Sequence, residues 1–335
     1  MPEDILPTTP PRKPFPVVGA LIGLIVLIVV AGVVWYMQSG SLFGLSPRGV
    51  SGTVVLYVPT PWETPDRKTI SGLVSYASGM ASELIPAEIL QGKFPVSISP
   101  SGKQVLAVSI PNLPKQRIDG VDGLVVISTD NALDQKLLLS TDMLGESRVV
   151  SVAWTPNDKF VAVGIVSGAD ESLEVETTVF NLESGQSLSM GSGVPVMFSP
   201  AQTQLLVADD GVFSFRTPDG ESSPVSGVHV GEQPQYAMVS ADGSYFSLYF
   251  SDDAQGSVHV YRTEWANSSV TELGVLGQTA KQGFAFGPEG SMLVFDGQAF
   301  GIVEDVGSGF APKKSAKLPT FSENAVLIGW YGFNN

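Results

Sequence analysis

The 335-residue sequence contains no cysteine and only two histidines. Without cysteine the chain has no disulfide framework, no thiol nucleophile and no thiolate ligand for zinc or an iron–sulfur cluster. Charged residues are also few, at 15%, whereas 43% of the residues are hydrophobic. We therefore expect a fold that is stabilised by core packing alone, which a large domain can achieve.

Positive charge is scarce as well. The 18 Lys and Arg residues oppose 33 Asp and Glu residues, so the formal net charge is −15. An acidic surface repels phosphate backbones and anionic lipid headgroups. We therefore expect no nucleic-acid partner.

The longest uncharged apolar run covers residues 17–37, VVGALIGLIVLIVVAGVVWYM. As a helix it would be about 31 Å long, enough to cross a hydrocarbon core of about 30 Å. Trp35 and Tyr36 fit the aromatic belt of one interface, and Arg12 and Lys13 flank the other end. A cleaved signal peptide would have a shorter apolar core and a small-residue cleavage site. The run therefore predicts an uncleaved, single-pass signal-anchor with a cytoplasmic N-terminus.

Two short segments flank this predicted membrane helix. Residues 1–16 contain six prolines, which predicts a disordered cytoplasmic tail. Residues 38–49 are a Gly/Ser-containing linker, so the following domain is expected close to the bilayer. Within the helix, Gly19 and Gly23 form a G-x-x-x-G motif, which would allow a helix-mediated dimer.

From residue 50 onward, short apolar and β-branched runs alternate with turn residues, which is typical of an all-β domain. One strand–turn–strand unit recurs five times: VSISPSGKQVLAVSI, VAWTPNDKFVAVGIV, VMFSPAQTQLLVADD, AMVSADGSYFSLYFS and FAFGPEGSMLVFDGQ. Its turn recurs every 41 to 56 residues, at Pro100, Pro156, Pro200, Ala241 and Pro288. Propeller blades of four strands repeat with a similar period of about 40 to 50 residues.

These units resemble the WD40-like repeats of TolB-type β-propellers, in which an apolar strand precedes Ser-Pro-Asp-Gly-Lys. The best copies are ISPSGK at 98–103 and VSADG at 239–243, whereas the copy at 201–204 lacks the glycine. The resemblance covers residue 50 to the C-terminus. It implies a propeller architecture and no particular role.

A sixth copy of the first strand, AVLIGW, lies at 325–330. The strands GTVVLYVPT and TISGLVSYAS near the start of the domain would complete its blade, and such closure removes an exposed sheet edge. We therefore predict about six blades over residues 50–335, with seven blades or tandem β-sandwiches as alternatives. Residues 80–91, MASELIPAEILQ, are the one stretch in which a helical turn or two is expected, interrupted by Pro86.

No catalytic or metal-binding motif stands out. His229 and His259 each lie between valines in strand-like runs, which favours a structural role. Paired aspartates fit β-turns better than a calcium loop, and they occur at Asp119 and Asp122, Asp209 and Asp210, and Asp252 and Asp253. We therefore predict no cofactor and no metal ion.

The leading interpretation is a membrane-anchored, extracytoplasmic module that binds a protein partner or acts as a scaffold at the cell envelope. A metal-dependent lactonase or glycosidase and a ligand sensor are the alternatives. The central channel of the propeller discriminates between them. A ring of inward carboxylates would indicate an enzyme, whereas an apolar or aromatic channel would favour protein binding.

Overall fold

The computed structural model describes residues 52–64, 67–77, 80–109, 122–145, 147–167, 174–229, 234, 236–240, 243–250, 257–276, 284–287, 291–295, 300–305, 310–316 and 325–331. All of them belong to the compact unit Gly49–Asn335. The predicted tail, membrane helix and linker lie outside the described residues, and so do Arg12, Lys13, Gly19, Gly23, Trp35 and Tyr36. In the part of the chain that is described, no helix is long and apolar enough to cross a membrane.

Short strands dominate the described residues, with one helix of four residues and one 3-10 turn. The strands are β1 Thr53–Glu63, β2 Thr69–Ala77, β3 Met80–Pro86, β4 Lys93–Ile98, β5 Gln104–Ser109, β6 Gly123–Ser128, β7 Gln135–Ser140, β8 Arg148–Trp154, β9 Phe160–Val166, β10 Val175–Asn181, β11 Ser187–Ser192, β12 Val194–Phe198, β13 Leu205–Asp209, β14 Val212–Arg216, β15 Ser222–His229, β16 Tyr236–Val239, β17 Tyr245–Phe250, β18 Ser257–Glu264, β19 Ser269–Leu276, β20 Phe284–Phe286, β21 Met292–Phe295, β22 Phe300–Asp305, β23 Phe310–Ala316 and β24 Val326–Tyr331. Helix α1 is Thr141–Leu144, and the 3-10 turn is Trp265–Asn267.

These strands form five sheets. Sheet 1 has the order β24-β1-β2-β3, sheet 2 contains β4 to β7, sheet 3 contains β8 to β11, and sheet 5 contains β20 to β23. Sheet 4 has eight strands in the order β12-β13-β14-β15-β19-β18-β17-β16. The first strands of successive meanders contact one another, for example β8 with β12 and β20 with β24. The predicted all-β propeller is thereby confirmed.

The predicted number of about six blades is wrong, because the described strands form five sheets. The difference arises in sheet 4, where β15 and β19 pair in parallel at Ser226 and Ser269. This single pair joins two four-stranded meanders, β12 to β15 and β16 to β19, edge to edge. The alternatives of seven blades and of tandem β-sandwiches are likewise not observed.

The predicted closure of the ring is confirmed. β24 pairs with β1 in antiparallel register, from Thr53 opposite Tyr331 to Tyr57 opposite Val326. The Tyr331 hydroxyl also donates a hydrogen bond to the Ile98 carbonyl of sheet 2 at 3.1 Å. The last strand of the chain is therefore held by strands from near its beginning, which satisfies an edge that would otherwise be exposed.

All five repeated units form hairpins, namely β4–β5, β8–β9, β12–β13, β16–β17 and β20–β21. In four of them a buried hydroxyl follows the first strand and accepts a hydrogen bond of 2.9 to 3.2 Å from the backbone N–H five residues later. These residues are Ser99, Thr155, Ser199 and Ser240. Each hydroxyl satisfies a partly buried backbone N–H that the turn would otherwise leave unpaired.

The same turns contain a residue in the left-handed backbone conformation, three positions after the hydroxyl residue. Its φ angle is 74° at Gly102, 58° at Asp158, 61° at Gln202 and 67° at Gly243. Glycine adopts this conformation freely, whereas other residues are strained by about 1 to 2 kcal/mol. The turns at Asp158 and Gln202 are therefore strained relative to the other two.

The predicted helical turn at 80–91 is wrong over its first half, since Met80–Pro86 is strand β3. Ala81 and Ile85 are the buried positions of this strand. They lie on opposite faces of the sheet, because the register of β3 on β2 shifts between Glu83 and Ile85. Ala81 belongs to the hydrophobic cluster of Val74, and Ile85 belongs to that of Leu73. Residues 87–92 form a turn in which the Ile89 N–H donates to the Pro86 carbonyl at 3.1 Å.

Hydrophobic clusters lie between neighbouring sheets. Leu106 and Leu124 of sheet 2 pack against Val161 and Phe180 of sheet 3, and all four are buried. Burial of each such side chain contributes about 1.5 to 3 kcal/mol. Packing between the sheets, together with the closed ring, thus stabilises a chain that has no disulfides.

Candidate functional site

The first strands of the six meanders surround a central channel with a cavity volume of about 100 Å³. They lie side by side because each begins a meander and carries apolar residues on both faces. The channel is lined mainly by apolar side chains, and aromatic rings are prominent among them. These rings belong to Trp154, Phe198, Phe286, Trp330 and Tyr331.

No side chain of Asp, Glu, Lys, Arg or His is among the described residues that line this channel. The polar groups present are bonded within the protein. The Trp154 Nε1–H donates to the Ser97 hydroxyl at 3.1 Å, and the Ser240 hydroxyl accepts from the Tyr245 N–H at 2.9 Å. The channel therefore presents an apolar surface whose polar atoms are already satisfied.

The aromatic wall of the channel depends on one glycine. Trp330 is only 4% exposed and its ring lies directly over Gly287. A Cβ atom at that position would lie 2.2 Å from the Trp330 Cε3 atom. Any larger residue at 287 would therefore displace the indole ring from the channel wall.

A second polar arrangement lies on sheet 4, around His259. The Ser257 hydroxyl is 3.1 Å from the His259 Nε2 atom, and the Glu272 carboxylate is 2.8 Å from the His259 Nδ1 atom. The imidazole also packs edge-on against Phe250, with the ring centroids 4.9 Å apart. Hydroxyl, imidazole and carboxylate stand in the order that serine hydrolases use.

Neither Ser257, His259 nor Glu272 lines the central channel or the two clefts between sheets described below. A hydrolase holds its substrate in a cleft that excludes water. The predicted structural role of His259 is consistent with its hydrogen bonds across β18 and β19 and with its packing against Phe250. The sequence signal for the arrangement was Ser-x-His, since residues two apart on a strand share a face.

Of the other residues considered in the sequence, those that the structure describes do not converge. The His229 side chain, Asp119, Asp252 and Asp253 lie outside the described residues. Asp209 pairs with Arg216 at 2.9 Å, and Asp210 follows it in the turn to β14 with a φ of 46°. Burial lowers the pKa of Lys93, and the nearby charge of Asp122 opposes that shift. Across the described chain, no group of three or more His, Cys, Asp or Glu side chains could hold a metal ion.

Comparisons with known proteins yield fold neighbours only. No family model matches the chain, and no curated protein matches it. Among solved structures, TolB from Acinetobacter baumannii has 14% identity and a TM-score of 0.49, over 90% of this chain and 71% of that one. Oligogalacturonate lyase from Vibrio parahaemolyticus has 11% identity and a TM-score of 0.46, over 81% and 80% of the two chains. Neither likeness carries information about the role of this chain.

Proposed function

We propose that this protein is a protein-binding or scaffold module at the cell envelope, anchored by the predicted membrane helix at residues 17–37 with its propeller outside the cytoplasm. The observation that carries the proposal is the central channel. Its described lining is apolar and aromatic and contains no charged side chain. Aromatic residues and methionine are enriched at protein interfaces, and charged residues are depleted at their cores.

The same observation argues against a metal-dependent lactonase or glycosidase. Metal-assisted hydrolysis requires ligands that converge on an ion, and glycoside hydrolysis requires two carboxyl groups about 5 to 9.5 Å apart. The described lining of the channel offers neither, and the Trp154 indole and the Ser240 hydroxyl are hydrogen-bonded within the protein. A partner protein, in contrast, needs only a rigid and complementary surface.

The test combines capture and turnover. The full chain is crosslinked in its native membrane, solubilised in mild detergent and purified, and each recovered protein is then made separately and rebound to the purified chain. We expect a stoichiometric complex with at least one such protein. The purified chain should not turn over a panel of lactones and glycosides in the presence of Ca²⁺, Mn²⁺ or Zn²⁺. Turnover that depends on metal, with no protein that rebinds, would contradict the proposal.

One observation favours a second candidate, a serine hydrolase built on Ser257, His259 and Glu272. The distances of 3.1 and 2.8 Å fall within those of an activated nucleophile. A fluorophosphonate probe separates the candidates, because it labels only an activated serine. Labelling that disappears in Ser257→Ala and in His259→Ala would support the hydrolase. An absence of labelling would indicate that these side chains have only a structural role in the sheet.

A further inference from the structure

The largest cleft among those described lies between sheets 3 and 4, with a cavity volume of about 680 Å³. This volume is within the range of about 300 to 1,000 Å³ that ligand sites occupy. Its floor is apolar. Phe198 and Leu205 are buried at its base, and Phe160, Val179 and Met190 pack partly buried against them. The cleft is therefore a preformed apolar surface that solvent can reach.

The gap between sheets 2 and 3 is smaller and is bridged by side-chain hydrogen bonds. Its cavity volume is about 380 Å³, and the Asp158 carboxylate crosses it to accept hydrogen bonds from the hydroxyls of Ser99 at 2.9 Å and of Ser101. From the other side, the Lys136 ammonium donates to the Leu182 carbonyl. These bonds hold the two sheets together at the turns.

Gln202 occupies the position in sheet 4 that Asp158 occupies in sheet 3, since both are the left-handed residue of the repeated turn. Unlike Asp158, the Gln202 side chain forms no hydrogen bond within the described part of the chain. The side chains of Gln186 and Gln204, which also line the cleft, form none there either. The gap between sheets 3 and 4 is thus open and edged by three unengaged carboxamides, each with a donor and an acceptor.

Charge is nearly absent from this cleft. Arg216 is the one charged residue on its described lining, and its guanidinium is paired with Asp209 at 2.9 Å. The same guanidinium also donates to the Met190 and Ser192 carbonyls. A chain with a net charge of −15 therefore carries here a neutral surface, which complements an uncharged ligand.

The strand beside the cleft is unusual among the outermost strands of the described meanders. β11 has the sequence SLSMGS, without a charge or a proline, whereas β3, β7, β15, β19 and β23 each contain one or the other. Charges and prolines protect sheet edges from pairing with other chains. The described strands include none that pairs with the far edge of β11. Arg216 donates hydrogen bonds to the last carbonyls of β11. The accessible part of β11 is therefore the segment around Leu188, which is 43% exposed.

We propose that the cleft between sheets 3 and 4 binds an extended, uncharged segment of a partner protein. Apolar side chains of that segment would contact Leu188 and the floor around Phe198. Its main chain would bond to the carboxamides of Gln186, Gln202 and Gln204 and to the accessible part of β11, as in strand addition. The proposal rests on the protein-binding function above and adds the cleft as a second surface that the same partner contacts.

The backbone of Gln202 gives this proposal a sharp test. A residue in a strained backbone conformation at the edge of a cleft points to a use for its side chain. Replacing it by glycine removes both the strain and the carboxamide. Gln202→Gly is therefore expected to be at least as stable as the unsubstituted chain but to bind more weakly, so that lost binding cannot be attributed to unfolding.

The experiment uses a phage-displayed dodecapeptide library, selected on the full chain in detergent. A fluorescent peptide with the selected sequence is then titrated by fluorescence polarisation. We expect uncharged, apolar sequences, with affinity at least about tenfold lower for Leu188→Ser and Gln202→Gly. The matched control is Leu137→Ser, on the outermost strand of sheet 2, because Leu137 has nearly the same exposure, 42%. Its affinity should be unchanged.

Three outcomes would overturn the proposal. They are selection of charged peptides, equal binding by the Leu188 and Leu137 variants, and self-association of the full chain that Leu188→Ser abolishes in light scattering. The last would show that a second copy occupies the cleft. If a purified partner still rebinds to the Leu188 variant, the protein-binding function stands and only the cleft is wrong.

Discussion

The closure of the ring by β1 and β24 can be tested with a disulfide, because the chain contains no cysteine that could interfere. Tyr57 and Val326 are directly opposed in the antiparallel pair. Cα atoms of such partners lie about 4.5 to 5.5 Å apart, within the separation that a disulfide tolerates. The double variant Tyr57→Cys with Val326→Cys should therefore form an intramolecular bridge on mild oxidation.

The expected gain in stability follows from the loop that this bridge closes. A loop of about 270 residues loses enough conformational entropy in the unfolded state to stabilise the fold by about 5 to 6 kcal/mol, and strain in the bridge reduces the gain. We expect oxidation to raise the free energy of unfolding by at least about 2 kcal/mol.

The free energy of unfolding is measured by urea titration for the oxidised and for the reduced double variant. Both forms lack the Tyr57 ring, so its loss does not affect the difference between them. The two single variants serve as controls and should not respond to oxidation. A double variant that stays reduced, or that forms only bridges between molecules, would refute the pairing of β1 with β24.

Four further substitutions test the turns, the channel wall and the core of sheet 4. Gln202→Gly should raise the free energy of unfolding, measured by urea titration, by about 0.5 to 1 kcal/mol, because the relief of left-handed strain exceeds the entropy that glycine adds to the unfolded state. Gly243→Ala, at φ 67°, should lower the free energy of unfolding. Gly287→Ala should destabilise the fold by about 1 to 3 kcal/mol and shift the fluorescence of Trp330, since a Cβ atom would overlap the indole, and an unchanged emission spectrum would contradict the packing. Burial raises the pKa of Tyr261, with a further contribution from the Glu272 charge, so stability should fall as the pH rises above the unfolded tyrosine value of about 10, and urea titrations at rising pH should show a smaller fall for Tyr261→Phe.

Much of the architecture could be predicted because it repeats. The five hairpins were visible as pairs of apolar strands around a short turn, four of which contain a proline, and the strand at 325–330 predicted its partner at the start of the domain. What the aligned turns did not reveal was the role of the hydroxyls of Ser99, Thr155, Ser199 and Ser240. Their hydrogen bonds depend on the turn conformation, which follows from the folded backbone.

Two features of the fold could not be predicted from the local sequence pattern. In β3 the register shifts between Glu83 and Ile85, so its buried residues do not follow the strict alternation that predicts a strand. The merger of two meanders into sheet 4 rests on one pair, Ser226 and Ser269, and no periodicity encodes a single contact between edges.

The candidate sites were harder to predict, because they depend on which side chains of neighbouring strands and sheets do or do not form hydrogen bonds. The openness of the cleft between sheets 3 and 4 follows from Gln202 standing where Asp158 bridges the neighbouring gap. The arrangement of Ser257, His259 and Glu272 likewise needs the register of β18 on β19, which shifts between Val260 and Tyr261.

The most direct test of the binding cleft is site-specific photocrosslinking in cells that produce the full chain. A benzoylphenylalanine is placed at residue 188, beside the cleft, and in a matched chain at residue 137. We expect illumination to link residue 188 to an uncharged segment of one partner protein, whereas residue 137 should form no such link. Equal crosslinking from both positions, or none from residue 188 under conditions in which the purified partner rebinds, would contradict the proposal.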